Sequence, residues 1–198
     1  MTVKTRLVDY DDGQNNYQGM FAMDDAYTGA RPGVLIAHTI RGRSAFEEGK
    51  AEALARLGYA AFALDVYGKA ELDTDDENKR GQMTALLADR AELQKRLSLS
   101  LQAMKRQPEV DATRTAAIGF CFGGLCALDI ARSGRELAGV VSFHGLLAPP
   151  DAIEARTIKA RVLVFHGWDD PLAPPDSVVA LADEMSMAKA DWQLHAYG

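Results

Sequence analysis

Apolar residues fall into two alternating kinds of pattern along the chain. Val34-Leu35-Ile36-Ala37-His38, Tyr59 to Asp65, Thr115 to Gly119, Ala138 to Phe143 and Arg161 to Phe165 are short continuous runs. Such runs suit strands buried on both faces. Between them the spacing turns helical. Leu54 and Leu57 follow a capping box, Ser44-Ala45-Phe46-Glu47, and the helix stops at Gly58. A second box, Thr74-Asp75-Asp76-Glu77, opens one long helix through Met83, Leu86, Leu93, Leu97, Leu101 and Met104. Asp176 caps a helix carrying Val178, Val179, Leu181 and Met185, and Trp192 to Tyr197 reads as a last strand. At the start, Lys4 to Tyr10 and Tyr17 to Met23 flank a turn at Asp11-Asp12-Gly13 and predict a β-hairpin. Strands alternating with helices predict an α/β fold: a mostly parallel central sheet with helices on both faces.

Length and composition narrow this picture without changing it. A chain of 198 residues suits a single domain, 1–198. Apolar residues make up 47% and charged residues 25%, and the net charge of −6 is spread along the chain. That balance argues against a nucleic-acid surface. No run approaches the roughly 18 apolar residues of a membrane span, and Met1 to Asp12 lacks the apolar stretch of a signal peptide. A cytoplasmic protein is expected. Cys121 and Cys126 are the two cysteines. On one helix they lie about 7.5 Å apart along the axis, too far and too divergent to pair. No metal-ligand spacing and no dinucleotide or phosphate loop is present, so no metal or organic cofactor is expected.

The residues that carry chemistry centre on Gly119-Phe120-Cys121-Phe122-Gly123-Gly124. A buried strand ends, one residue occupies a sharp turn, and a helix begins at once: this is the nucleophile elbow of an α/β-hydrolase fold. Glycines two before and two after the turn let strand and helix pass closely. Cys121 then stands at a helix N-terminus, where partial positive charge favours a thiolate. The Phe122 N–H points into the same space as an oxyanion donor. Cys126, one turn on, reads as a buried structural thiol.

An orienting acid belongs on a loop just past a later strand. His166-Gly167-Trp168-Asp169-Asp170-Pro171 supplies two candidates. Asp170 is favoured over Asp169 because it precedes a stiffening proline and lies further from the strand; the alternative is a turn carboxylate bonded to its own backbone. His166 is expected to tie its ring to that loop. After the first central strand, His38-Thr39-Ile40-Arg41-Gly42 offers the Ile40 N–H as second oxyanion donor. Arg41, Arg43 and Lys69 lie after neighbouring strand ends and are weak candidates for an anionic substrate, or simply solvated cations.

Taken with Leu35 to Gly42 and Asp65-Val66-Tyr67-Gly68, the elbow and the His166–Pro171 segment resemble the dienelactone hydrolase family, in the same order and over nearly the whole chain. The resemblance implies a hydrolase of a small-molecule carboxylic ester or lactone. In it Cys121 is the nucleophile, Asp170 the triad acid, and Ile40 and Phe122 the oxyanion donors. Thr39 stands where members that hydrolyse dienelactone carry a glutamate, and Lys69 where they carry an arginine. Both changes count against dienelactone itself as the substrate. The family's histidine follows the last strand. His195 lies inside that strand, while His38 and His144 precede Asp170 and break the order of nucleophile, acid and histidine. The base and a final helix are therefore expected in roughly 30–50 further residues. Two other readings use the same fold: a ligand-binding protein with an incomplete site, and a thiol redox protein, for which Cys126 is badly placed.

Overall fold

The computed structural model describes residues 2–150 and 157–198. The hairpin is β1 (Val3–Asp11) and β2 (Asn16–Asp24), paired antiparallel from Val3 opposite Asp24 to Asp11 opposite Asn16. Its turn is held by the Asp12 carboxylate, which accepts from the Gln14 and Asn15 N–H groups at 3.0 and 2.7 Å. Then follow β3 (Arg31–Ala37), α1 (Ala45–Arg56), β4 (Ala60–Ala63), α2 (Asp76–Ala88), α3 (Arg90–Lys105), β5 (Val110–Phe120), α4 (Phe122–Arg132), β6 (Gly139–Phe143), β7 (Arg161–Gly167), α5 (Pro175–Met187) and β8 (Trp192–Tyr197). One eight-stranded sheet has the order β1-β2-β4-β3-β5-β6-β7-β8. It is antiparallel through the hairpin and β4, and parallel from β4 onward. The expected α/β-hydrolase architecture is thus present.

The two-residue period of each strand sorts its side chains to two cores. Phe21, Leu35, Ala37, Ala60 and Phe62 face the core shared with α3 and α4. Met20, Ala22, Ile36, Ala61 and Ala63 face Ala51 and Ala55 of α1 on the other side. Alanine on both sides of this second contact lets α1 lie close to β2, β3 and β4. The Ser44 cap forms as expected, with Glu47 closing the box on the Ser44 N–H at 3.0 Å.

Four expectations need correction. The long helix is two helices. Asp89 ends α2 and starts α3, where its carboxylate accepts from the Glu92 N–H at 2.9 Å. An aspartate that caps the next turn competes with helix continuation. Asp75 rather than Thr74 caps α2; Thr74 instead donates to the Glu71 carbonyl. Helix α5 begins at Pro175, after Pro174 at the cap, and Asp176 lies in its first turn. Proline suits that first position because its missing N–H has no helical partner there. Strands also outrun the sequence reading: β5 starts at Val110, across a register shift opposite Pro32/Gly33, and β7 includes His166.

Every residue of α4 is buried, including Asp129 and Arg132. Their charges are met in full. Arg90 of α3 forms a two-pronged pair with Asp129 at 2.8 and 2.5 Å. Arg132 pairs with Glu184 of α5 at 2.8 and 2.7 Å and with Asp129 at 3.3 Å. Three helices are locked by this network. Removing one partner of a buried pair strands the other, at a cost of about 3–5 kcal/mol. Asp129→Ala should therefore lower the urea unfolding free energy by that amount; a loss below about 1 kcal/mol, the size of an exposed pair, would refute it.

Candidate active site

Cys121 occupies the junction of β5 and α4, with φ 57° and ψ −120°. A non-glycine residue rarely takes positive φ, and such strain gathers at functional sites. Its surroundings force the turn. A methyl group on Gly119 would overlap the Gly123 carbonyl, and one on Gly123 would overlap the Ala37 and His38 carbonyls at the end of β3. Gly124 makes a similar approach to Gly145 and Ser142, where a methyl would stand 2.8 and 2.7 Å from their atoms. The elbow is thus pressed backbone to backbone against the C-terminal ends of β3 and β6. The Cys121 N–H donates to the Phe143 carbonyl at 3.0 Å. The thiol is half-buried, whereas Cys126 is fully buried and its ionisation is pushed well up by burial.

The Phe122 N–H, at the first position of α4, has no partner among the described residues. Neither has the Ile40 N–H. Around Ile40 the remaining backbone is tied. The Glu47 carboxylate accepts from the Thr39 N–H at 3.1 Å, and the Tyr67 hydroxyl donates to the Ile40 carbonyl at 3.1 Å. His38 Nδ1 lies 2.7 Å from the Thr39 carbonyl. Burial holds the Tyr67 hydroxyl protonated by raising its pKa, and lowers that of His38. The rings of His38, Tyr67 and Phe122 pack together, with centroids 4.5 to 6.0 Å apart.

Asp170 follows β7 on the same edge of the sheet as Cys121. It is half-buried, Asp169 exposed. Its Oδ1 accepts from the Leu172 N–H at 2.9 Å, the turn bond of the simpler reading, while Oδ2 has no partner among the described residues. His166 is buried with Nε2 2.9 Å from the Ala173 carbonyl, tied to its loop as expected. His195 pairs with Phe165 in β8, and its ring stacks on Phe165 at 5.3 Å. Three strand spacings, roughly 14 Å, separate β8 from β5, so this ring lies outside reach of the Cys121 sulfur. Lys69 is engaged with Asp9 at 2.9 Å and Arg41 with Asp76 at 3.5 Å. Arg43 is turned to Gln18 and Glu48.

Sequence reasoning passed over two residues. Glu47 read only as a helix cap, although its second oxygen reaches the loop after β3. His144, set aside on chain order, follows β6 directly beside the elbow; it is exposed and holds φ 41°. That strain has no sequence signature, since only glycine announces positive φ. Among the described residues no group of His, Cys, Asp and Glu is placed to hold a metal ion, and no helix is long and apolar enough to cross a membrane.

A strained residue at the turn between a parallel strand and a buried helix is the elbow of an α/β-hydrolase. Within that class the chain belongs to the dienelactone hydrolase family, whose model matches residues 18–198. It is 38% identical to a dienelactone hydrolase-like promiscuous phosphotriesterase from metagenomic libraries, covering 100% of this chain and 82% of that one with a TM-score of 0.94. The dienelactone hydrolase of Anabaena variabilis shares the fold at 20% identity, with a TM-score of 0.72 over 100% of this chain and 87% of that one. A carboxymethylenebutenolidase of Pseudomonas putida is 26% identical over 159 residues, 74% of this chain and 64% of the relative.

The strain at Cys121 is measurable apart from any activity. Glycine relieves it, worth about 1–3 kcal/mol, against up to about 1 kcal/mol of extra chain entropy. Cys121→Gly should unfold at a higher temperature than Cys121→Ala. Equal midpoints would mean that the elbow stores no strain.

Proposed function

We propose that the protein hydrolyses a carboxylic ester or lactone through a cysteine nucleophile. The observation that carries this is the strained Cys121 at the start of α4, together with the N–H groups of Phe122 and Ile40, which are free among the described residues. Family membership supports the reaction class. The Cys121 sulfur attacks the carbonyl carbon and forms a C–S bond. The displaced π pair collects on the carbonyl oxygen, where the two N–H groups hold it. Collapse breaks the C–O bond and the leaving alkoxide takes a proton; water then attacks the thioester and releases the acid and the thiol. A histidine oriented by Asp170 through its free Oδ2 moves the protons, and the order of the triad places it after Asp170 in the chain.

The substrate is a small molecule and no metal or organic cofactor is needed. Thr39 and Lys69, in place of a glutamate and an arginine, and the engagement of Lys69 with Asp9, favour an uncharged ester or lactone over one recognised by a carboxylate. A reactive free thiol suits a reducing compartment, so we place the enzyme in the cytoplasm.

The test is a screen of the protein with p-nitrophenyl esters, lactones and an aryl phosphotriester. Ester or lactone turnover is expected, with Cys121→Ala reducing kcat by at least about 1000-fold and leaving the circular dichroism spectrum unchanged. Asp170→Asn should lower kcat by about 100-fold or more, with Asp169→Asn near the unsubstituted rate. Retained turnover in Cys121→Ala would end the cysteine mechanism, and the reverse order of the two aspartates would move the acid to Asp169.

A further inference from the structure

The loop after β3 is wired more tightly than a helix cap and a turn require. Val66 N–H donates to Nε2 of His38 at 3.3 Å. That leaves the ring proton on Nδ1, which donates to the Thr39 carbonyl at 2.7 Å. His38 is 1% exposed and burial lowers its pKa. The Gly42 N–H also reaches the Thr39 carbonyl, at 3.2 Å. On the other side of Thr39, its N–H is held by Glu47 at 3.1 Å, and the Ile40 carbonyl by Tyr67 at 3.1 Å.

The Thr39 carbonyl and the Ile40 N–H belong to one planar peptide unit, and in a trans peptide they point in opposite directions. Whatever fixes the carbonyl aims the N–H. We propose that His38 is a positioning residue for acyl transfer: by holding the Thr39 carbonyl it directs the Ile40 N–H to the place where the oxyanion forms. The role rests on the ester-hydrolase reading above. It differs from chemistry by His38 itself, whose two nitrogens are occupied by backbone. Glu47 and Tyr67 fix the peptides on either side, and of the two donors on the Thr39 carbonyl, His38 at 2.7 Å is the shorter and Gly42 at 3.2 Å the longer, so His38 is the main restraint on rotation of the Thr39–Ile40 unit. Donors for an oxyanion act only when preorganised, and misplacement by about 1 Å costs on the order of 100-fold.

Two reactions of Cys121 separate this role from a general support of the fold. Alkylation by iodoacetamide displaces iodide at a saturated carbon and forms no oxyanion. Acylation by p-nitrophenyl acetate passes through one. In His38→Phe, acylation followed by p-nitrophenol release should slow by about 10- to 100-fold, while alkylation stays within about twofold of the unsubstituted protein. His38→Asn, whose amide places a donor near the position of Nδ1, should recover most of the loss. His38→Leu serves in place of His38→Phe should the ring not be accommodated. Equal slowing of both reactions, or acylation at the unsubstituted rate in the donorless variant, would overturn the role. Failure of the unsubstituted protein to be acylated at Cys121 would instead overturn the hydrolase reading, and this role with it.

Discussion

The close approach of the elbow to the sheet governs the rest of the site. Gly119 meets the Gly123 carbonyl, Gly123 meets the Ala37 and His38 carbonyls, and Gly124 meets Gly145. None of these contacts leaves room for a β-carbon. Three strand ends and one helix N-terminus are thereby drawn together, with only the Ser142 hydroxyl reaching into the contact of Gly124 and Gly145. The Cys121 backbone must turn sharply to allow it, and φ 57° is the result. A turn strained by about 1–3 kcal/mol persists because α4 behind it is buried along its whole length. Its apolar residues pack into the main core, and Asp129 and Arg132 fasten it to α3 and α5. Stability invested in the helix holds a local conformation that the chain would otherwise abandon.

The same contact determines where the two N–H groups proposed as oxyanion donors lie. With Gly123 against the end of β3, the first turn of α4 and the loop at residues 38–42 share one corner. Burial there would be costly for unpaired polar groups. The loop answers with His38, Glu47 and Tyr67, each bonded to a different backbone group. Glu47 does two tasks, closing the cap of α1 with one oxygen and holding Thr39 with the other. Helix α1, packed on the far face of the sheet, is thus connected to the loop after β3 through the Glu47 carboxylate. The proposed mechanism forms its oxyanion at the pair of N–H groups left free among the described residues of this corner.

Much of this was legible in residue order. Continuous apolar runs located the parallel strands, Ser44 and Glu47 marked the start of α1, and the spaced glycines around Cys121 marked the elbow. Periodicity reports which face is buried, so it joined α2 to α3 across Asp89: the apolar stripe continues there although the backbone does not. Capping competes at the level of one side chain, and Thr74, Asp75 and Asp176 are all chemically able to cap. Only the path of the chain chooses among them. The wiring of His38 to Val66 and of Tyr67 to Ile40 joins residues 28 and 27 positions apart, which no local pattern encodes. His144 is set aside on chain order, and its φ of 41° carries no sequence signature.

His195 shows how register can exclude a residue from chemistry. Phe120, Phe143, Phe165 and His195 stand opposite one another on β5, β6, β7 and β8, and their rings stack at 4.7, 5.3 and 5.3 Å. Phe46 of α1 closes the near end of the row, edge-on to Phe120 at 5.2 Å. Each ring is placed by the strand that carries it, at one strand spacing from the next. A proton carrier for Cys121 has the opposite requirement. In the proposed triad it approaches the sulfur from above the strand ends and touches Asp170 on its other side, across the intervening β6. Side chains within strands stand perpendicular to the sheet and cannot make that reach. A loop can, which is why the imidazole in β8 belongs to the aromatic row and the base of the proposed triad does not.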